Sequence, residues 1–381
     1  MNFEGAAIAG AIEVPYRRKA IGVTTVSLLA DAFFALLDDA GCDAARIDGL
    51  AVSSFTLKPD HAIDVAWRLG ISPRWIMQDT NGGASGINML QHAVRAIQCG
   101  DASAIAILAG DHYTGSEYTD LTDNYNSTVR DFLAPLPYGG PNALFSFVTQ
   151  AQMDAEGLDR RDYGALCMAQ RSWAALNPAA VYRTPLTLDE YLSAPPVAPP
   201  LGQFDCVPVV SGANAILVTR SEDVSGAAVR IRALRARHNY DHQAGDGLET
   251  GLKGIADELW QDAGVGPGAI DAAYVYDDYP VMVLAQLKDL GLMGSMSMKQ
   301  FVADRLTTRS LPVNTSGGQL SAGQAGAAGG LHGLVEAVVQ LRHAAGARQV
   351  SGAKLAVVTG YGMMQYRYCL CANAVVLEGM T

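Results

Sequence analysis

The chain has 381 residues, 49% hydrophobic and 17% charged, which is enough apolar material for a large core built from two related lobes. Forty glycines and 7% aromatic residues suit an α/β protein whose helices pack closely on sheets. The net charge of −11 argues against a nucleic-acid partner. The sequence shows neither a signal-peptide pattern nor an apolar run that could span a bilayer, so we expect a cytoplasmic protein.

The first half of the chain alternates apolar strands with amphipathic helices. We predict strands at 6–13, 47–54, 104–110 and 213–220, and helices at 25–40, 61–70 and 87–100. The third helix is preceded by "NGGASG" (81–86), a glycine-rich corner. Such a corner normally presents a reactive side chain or a set of backbone N–H groups, and this one has no evident reactive side chain.

Residues 111–205 interrupt the alternation. They are rich in Tyr, Pro and Gly, and they contain one helical segment near 141–175. A long insertion in a compact protein is usually a lid, a binding loop or an oligomer contact, and the sequence leaves these alternatives open.

The second half repeats the theme of the first. We predict strands at 227–238, 271–280, 354–364 and 368–379, helices at 252–264, 281–291 and 331–343, and a glycine-rich loop at 311–330. The shared pattern indicates an internal duplication within an α/β fold. We place the N-terminal half, including the insertion, at residues 1–222 and the C-terminal half at 223–381.

Four polar or glycine-rich segments follow apolar strands, where ligands of open α/β sheets bind. They are "NGGASG" (81–86), "YDDYP" (276–280), "NTSGGQLSAGQAGAAGG" (314–330) and "TGYGMM" (359–364). Their order and spacing resemble the thiolase superfamily, most closely the sterol-carrier-protein-2 (SCP2) type, over nearly the whole chain. The resemblance implies a thiolase fold, with two pseudo-duplicated mixed-sheet halves in a layered αβαβα arrangement and a loop insertion. It also implies a homodimer that binds acyl-CoA.

The residues that perform thiolase chemistry are replaced. The resemblance puts Gly83 at the acyl-carrying cysteine, Gln324 at the histidine of Gly-His-Pro, and Tyr276 and Asp277 at a His-Asp or Asn-Glu pair. Thiolysis needs a thiolate activated by a neighbouring histidine and a helix N-terminus, which Gly83 and Gln324 cannot provide. The lost cysteine side chain is also expected to open space for an acyl group.

The electrostatic part of the site is expected to survive. Backbone N–H groups of Gly83, Ala84 and Ser85, and of the loop at Gly317 and Gly318, could hold the oxygen of a developing enolate. We expect the Ser85 side chain to cap the helix rather than to act as a nucleophile.

Side chains at the matched loops supply further candidates. Gln324 could donate a hydrogen bond to the enolate oxygen, and Gly362 lies in the loop that matches the family's acid/base cysteine. Tyr276 and Tyr361 offer phenols that could donate a proton, or accept one if their pKa were depressed. Packing at strand ends is an equally good interpretation of both tyrosines.

Three further polar residues have weaker claims. His112 follows a strand end and could provide acid–base chemistry, although a surface or loop-stabilising role is the alternative. Asp277 matches a family position that fixes loop hydrogen bonds, whereas Asp278 is expected to be solvated. No metal site and no tightly bound cofactor are predicted, because CoA enters as part of the substrate.

Three functions remain open. The first is retro-aldol cleavage of a β-hydroxyacyl-CoA, as in some SCP2-type relatives that act with a zinc-ribbon and OB-fold partner of the DUF35 type. The second is an acetyl-CoA acyltransferase, or thiolase, that uses a residue not matched by any motif; the six cysteines, at positions 42, 99, 167, 206, 369 and 371, are interpreted as buried free thiols. The third is a non-catalytic acyl-CoA-binding subunit. In each case we expect the acyl group to lie against residues 112–145.

Overall fold

A computed structural model describes residues 2–380 except 137, 139 and 225. Its strands are β1 (Ala6–Glu13), β2 (Gly49–Ser53), β3 (Trp75–Gln78), β4 (Ala104–Asp111), β5 (Pro196–Ala198), β6 (Leu201–Gly202), β7 (Gly212–Arg220), β8 (Ala228–His238), β9 (Ala272–Tyr274), β10 (Leu355–Gln365) and β11 (Tyr368–Met380). Its helices are α1 (Thr25–Ala40), α2 (Ala62–Leu69), α3 (Ser85–Cys99), α4 (Gly115–Asp123), α5 (Pro141–Glu156), α6 (Arg160–Ala174), α7 (Leu188–Ser193), α8 (Ala256–Ala263), α9 (Pro280–Asp289), α10 (Met298–Phe301), α11 (Gly318–Ala322) and α12 (Gly329–Leu341).

The main sheet has nine strands in the order β3-β2-β4-β7-β1-β8-β11-β10-β9. On one side, β2 is parallel to β3 and β4, and β7 is antiparallel to β4 and β1. On the other side, β10 is parallel to β9, and β11 is antiparallel to β10 and β8. Val313 forms a parallel bridge with Ala273 of β9 at the edge of this side. It occupies the position that the edge strand β3 occupies on the first side. The two halves therefore mirror each other, and they meet where β1 pairs with β8.

Helices cover both faces of each half. Helices α1 and α2 pack on the outer face of the first half, and α8 and α9 pack on the outer face of the second. The apolar residues of α3 and α12 share one core with strands from both halves. This gives the predicted layered αβαβα order, with α3 and α12 between the two halves.

The insertion contains more regular structure than its sequence suggested. The helical segment predicted near 141–175 is two helices, α5 and α6. Gly157 ends α5 in a left-handed conformation with φ of 66°, and the side chain of Asp159 accepts a hydrogen bond from the backbone N–H of Arg161 to begin α6. Both helices pack against the outer core of the second half. None of the described helices is long and apolar enough to cross a membrane.

The strand predicted at 271–280 is shorter in the structure, and this shortening positions the candidate site. Only residues 272–274 pair with β10. Beyond them the backbone N–H of Val275 donates to the side chain of Asn314 at 2.9 Å rather than to a neighbouring strand. The chain then turns, and α9 begins at Pro280, so residues 276–279 project from the end of the sheet.

Candidate active site

Gly83 lies directly against the ring of Tyr276. A Cβ atom on Gly83 would lie 2.2 Å from Cε2 of Tyr276 and 2.4 Å from the carbonyl oxygen of Tyr361. The sequence suggested that the missing cysteine side chain leaves room for an acyl group. In the structure that room is filled by the Tyr276 ring, so glycine is required at position 83 because any larger residue would clash.

Tyr276, Asp278 and Gln324 form one hydrogen-bonded cluster. Nε2 of Gln324 donates to Oδ1 of Asp278 at 2.6 Å and to the hydroxyl of Tyr276 at 3.1 Å. The Tyr276 hydroxyl in turn donates to Oδ2 of Asp278 at 3.1 Å. Two neutral donors thus point at one carboxylate.

The backbones of two cluster residues, Tyr276 and Gln324, are fixed by hydrogen bonds to neighbouring segments. The N–H of Tyr276 donates to Oγ1 of Thr359, and its carbonyl accepts from Nε2 of Gln286 at 2.7 Å. The N–H of Gln324 donates to the carbonyl of Pro208, and its own carbonyl accepts from Val210. The cluster is therefore supported by β10, α9 and the segment before β7, and its geometry is preorganised.

Burial sets the protonation of the cluster. Burial raises the pKa of Asp278 to about 7, against the hydrogen bonds from Tyr276 and Gln324, and the adjacent Asp277 carboxylate acts in the same direction as burial. Burial and then the Asp278 charge raise the pKa of Tyr276 well above its ordinary value. Asp278 can therefore exchange a proton near neutral pH, whereas Tyr276 remains a neutral hydrogen-bond donor.

The cluster lines a cavity of about 140 Å³. Its polar end is formed by Gly83, Tyr276, Asp278 and Gln324. Its other walls are mainly aromatic and aliphatic, and several come from the insertion: Tyr113, Tyr118, Leu121, Tyr125, Pro141 and Phe145. Polar side chains gathered at one end of a cavity with apolar walls are typical of a site that orients one reactive group of a ligand.

Two of the backbone donors that the sequence assigned to an oxyanion site, those of Ala84 and Ser85, already make hydrogen bonds. The N–H of Ala84 donates to the carbonyl of Asn81 at 3.2 Å, and the N–H of Ser85 donates to that of Gly82. The Ser85 side chain does not cap α3; its hydroxyl donates to the buried carboxylate of Asp79. Both N–H groups donate to carbonyl groups of the turn that precedes α3. The side chains of the cluster are therefore better placed to donate to a substrate oxyanion.

Asp277 holds the glycine-rich loop. Its carboxylate accepts hydrogen bonds from the backbone N–H groups of Gln319 and Leu320 and from Nε2 of Gln170. A Cβ atom on Gly318 would lie 2.0 Å from Oδ2 of Asp277, and one on Gly317 would lie 2.4 Å from Cβ of Ala174. These two glycines allow the loop to approach α6 and Asp277, and neither of them lines the cavity.

Tyr361 lines the cavity beside the cluster. Burial and the nearby Cys369 thiol raise its pKa well above the ordinary value, so its phenol stays protonated. Gly362, next to it, lies against the corner: a Cβ atom there would be 1.8 Å from the carbonyl oxygen of Asn81. Gly362 therefore allows β10 to pack on the turn before α3, outside the cavity lining.

His112 lies apart from the cluster. Its Nδ1 atom is 3.0 Å from Oγ of Ser211, and its backbone N–H donates to Oγ1 of Thr25. The cavity is lined instead by the next residue, Tyr113. Among the cysteines, Cys206 also lines the cavity, but burial and the carboxylates of Asp205 and Asp278 raise its pKa to about 12. A thiol that remains protonated at neutral pH is a poor nucleophile.

Asp278 is the polar residue that sequence reasoning missed. It was expected to be solvated, yet it is partly buried and receives both donors of the cluster. The available signal was its position two residues after Tyr276. In an extended chain the side chains of residues i and i+2 point to the same side. Asp277, between them, points to the loop as its family position implied.

Comparison with known proteins identifies the family. A family model described as thiolase C-terminal domain-like matches residues 233–371. The chain is 33% identical over 344 residues to 17-hydroxy-3-oxo-4-pregnene-20-carboxyl-CoA lyase of Mycobacterium tuberculosis, covering 84% of this chain and 87% of the relative. It is 27% identical over 359 residues to a steroid side-chain-cleaving aldolase of Thermomonospora curvata, covering 88% and 90%.

Solved structures agree on the fold. The chain superposes on the structure titled Ltp2-ChsH2(DUF35) aldolase with a TM-score of 0.84 and 24% identity, covering 99% of this chain and 98% of the other. A monomeric SCP2-thiolase-like protein of Mycobacterium smegmatis gives a TM-score of 0.72 at 18% identity, with 99% and 78% covered. Sterol carrier protein 2 of Rattus norvegicus is 24% identical over 315 residues, covering 77% of this chain and 58% of that protein. The family model and the sequence relatives together show that the chain belongs to the thiolase superfamily, among the SCP2-type thiolase-like proteins.

Proposed function

We propose that the protein is a lyase that cleaves a β-hydroxyacyl-CoA by a retro-aldol reaction. The observation that carries the proposal is the Asp278 carboxylate, which titrates near neutral pH and is hydrogen-bonded to Tyr276 and Gln324 at the polar end of an apolar cavity. The names of two sequence relatives, a CoA-ester lyase and a steroid side-chain-cleaving aldolase, support the same reaction class.

The reaction needs one base and one stabilised oxyanion. In the proposed mechanism the Asp278 carboxylate takes the proton of the β-hydroxyl group, and the electron pair of the O–H bond forms the carbonyl of the released ketone or aldehyde. The Cα–Cβ bond breaks, and its electron pair moves into the thioester to give an enolate. The Asp278 carboxylic acid then returns the proton to Cα, so the second product is a shorter acyl-CoA.

Tyr276 and Gln324 are proposed to stabilise the enolate oxygen. Once Asp278 is protonated, it no longer needs both hydrogen bonds, so the Tyr276 hydroxyl and one N–H of Gln324 can turn to the thioester oxygen. Tyr361 is proposed as a further donor from the cavity wall, beside the peptide of Gly83. His112, which lies outside the cavity lining, is given no role in this mechanism.

The apolar wall indicates the kind of acyl group. Tyr118, Leu121 and Phe145 face the same cavity as the cluster, and Phe145 stacks on Tyr279 with ring centroids 4.3 Å apart. This surface suits a bulky hydrocarbon on the carbon that carries the hydroxyl group. We therefore propose a polycyclic or branched β-hydroxyacyl-CoA, in line with the pregnene carboxyl-CoA and the steroid side chain that the names of the two relatives contain.

A DUF35-type partner is proposed from the structural neighbour, whose title names such a component. The homodimer, the cytoplasmic location and the division of the chain at residue 222 remain predictions.

The direct test incubates the protein, alone and with a DUF35-type partner, with a β-hydroxyacyl-CoA bearing a bulky apolar group. The products are measured by liquid chromatography and mass spectrometry. Release of a ketone or aldehyde together with a shorter acyl-CoA is expected. CoA-dependent cleavage of acetoacetyl-CoA would instead support a thiolase, and tight binding without turnover would support the non-catalytic subunit.

A further inference from the structure

An unpaired group of cations stands beside the loop that carries Gln324. Arg17, Arg18 and Lys19 are consecutive and exposed, in a chain whose net charge is −11. Arg183, also exposed, follows Tyr182. Within the described part of the chain, none of these four forms an ion pair with a carboxylate.

A buried cation lies beneath this group. Arg171 is only 5% exposed, and its guanidinium donates to Oγ of Ser321 at 3.0 Å and to the carbonyl of Thr184 at 3.3 Å. The carboxylate that acts on it is that of Glu190, which is exposed and already accepts hydrogen bonds at the start of α7. Its other partners are the rings of Tyr182 and Phe204, so no carboxylate hydrogen-bonds this buried charge within the described part of the chain.

Tyr182 connects the surface cations to the buried one. The guanidinium groups of Arg18 and Arg171 each lie 4.6 Å from the centre of the Tyr182 ring. These contacts hold two like charges close together, and a bound anion would relieve the repulsion between them.

The backbone places this group next to the candidate active site. Tyr182 donates its N–H to the carbonyl of Ser321, three residues before Gln324. On the other side of the loop, Val209 bridges to Gln324, and Ser211 bridges to Arg17. From strand spacing and rise, the backbone of Arg17 lies roughly 10 to 15 Å from that of Gln324.

We propose that the exposed Arg17, Arg18, Lys19 and Arg183 bind the phosphate groups of the CoA moiety, above the positive charge of the buried Arg171. This inference rests on the proposed function. A phosphate monoester carries about −1.5 to −2 charges at neutral pH, and the diphosphate of CoA adds more. CoA separates these phosphates from its sulfur by a long pantetheine arm, which matches a cationic group set apart from the cluster that contains Gln324. Arginine suits this role because its planar donors bind phosphate in pairs.

The test compares two variants with the wild-type protein. The first is Arg17→Glu with Arg18→Glu and Lys19→Glu, all exposed positions where the fold should tolerate the change. The matched control is Lys354→Glu, an exposed cation at the opposite end of β10 from Tyr361. Affinity for free CoA and for adenosine 3′,5′-bisphosphate is measured by calorimetry at two salt concentrations. Turnover is measured with a β-hydroxyacyl-CoA and with the matching N-acetylcysteamine thioester, which lacks the phosphates.

The triple variant is expected to bind both phosphate ligands about tenfold more weakly or worse, with a smaller salt dependence. Its preference for the CoA thioester over the N-acetylcysteamine thioester should fall by a similar factor, while the control should behave as the wild type. Equal weakening by both variants, or unchanged CoA affinity in the triple variant, would overturn the proposed site. If the wild type binds CoA but cleaves neither thioester, the proposed lyase reaction fails and the phosphate site is retained. If the wild type binds no CoA, both fail.

Discussion

The ring of Tyr276 lies where a cysteine side chain at position 83 would have to lie, with Cζ 2.3 Å from the place of its Cβ atom. A glycine at position 83 and a tyrosine at position 276 are therefore sterically linked, since a larger residue at 83 would clash with the ring. In this arrangement the Tyr276 hydroxyl donates a hydrogen bond to Asp278.

Tyr276→Phe should lower kcat by about 10²-fold, because it removes one donor to the enolate while keeping the ring on Gly83. Steady-state rates of product release measure the effect. Tyr274→Phe, which changes a buried tyrosine outside the cavity lining, is the control and should retain wild-type rates. A Tyr276→Phe enzyme with normal kcat would remove the hydroxyl from the mechanism.

Asp278→Asn should lower kcat by about 10³-fold or more, since an amide cannot accept the β-hydroxyl proton. Asp289→Asn is a close control. Burial also raises the pKa of Asp289 to about 7, but this residue lies outside the cavity lining. Comparable losses in both variants would indicate a general effect of neutralising a buried carboxylate rather than loss of a base.

The pH dependence of kcat/KM should show a rise through about pH 7 as Asp278 becomes ionised. The hydrogen bond from Gln324 stabilises the carboxylate, so Gln324→Leu should move this inflection to higher pH as well as slow the reaction. The measurement is a pH–rate profile of both proteins from pH 5.5 to 9. An inflection that stays in place would mean that another group titrates.

Gly83→Cys should fail to produce a thiolase and should destabilise the fold by about 3 kcal/mol, because its side chain overlaps the Tyr276 ring. Thermal or urea unfolding measures the loss. Gly268→Cys, at an open position, should unfold like the wild type. A stable Gly83→Cys protein with acetoacetyl-CoA thiolysis would show that Tyr276 can move aside.

Two carboxylates should give opposite pH effects on stability. Asp289 has a folded-state pKa raised by burial to about 7, above its unfolded value, so between about pH 4 and 7 the folded state binds more protons. Its ionisation therefore destabilises the fold progressively as pH rises, and Asp289→Asn should increase the melting temperature at pH 8 more than at pH 4.5.

Asp48 is the opposite case. Burial alone would raise its pKa, but hydrogen bonds from Ala104 and Ser103 and from Arg74 lower it overall. Its contribution to stability is present above its unfolded pKa near 4 and is lost as pH falls through the lower folded value. Asp48→Asn should therefore reduce the melting temperature at pH 8. The same direction of change for Asp289→Asn and Asp48→Asn at that pH would contradict this assignment.

The sequence predicted the elements whose ends carry local signals. Helix α1 ends at Gly41 and α3 ends at Gly100, as expected from the apolar periodicity and the glycines. The end of β9 was not predicted, because the backbone there is captured by the side chain of Asn314, a contact between residues 39 positions apart.

The site was predicted only in outline, because its details depend on the directions of individual side chains and backbone groups. Tyr276, Gln324 and Gly83 were identified from matched motifs, and the structure places them at one cavity. The role of Asp278 depends on which way it points after β9 ends, and the use of the Ala84 N–H by Asn81 depends on a local turn. Neither periodicity nor composition encodes such details.

The mirrored strand order brings residues from both halves of the protein to one cavity, the candidate active site. Gly83 belongs to the half that starts with β1, whereas Tyr276 and Asp278 belong to the half that starts with β8. The central helices α3 and α12, one from each half, pack together in one core. Neither half could assemble this chemistry alone. A variant that loosens the packing between α3 and α12 should therefore disturb the candidate site even when it touches none of the site residues.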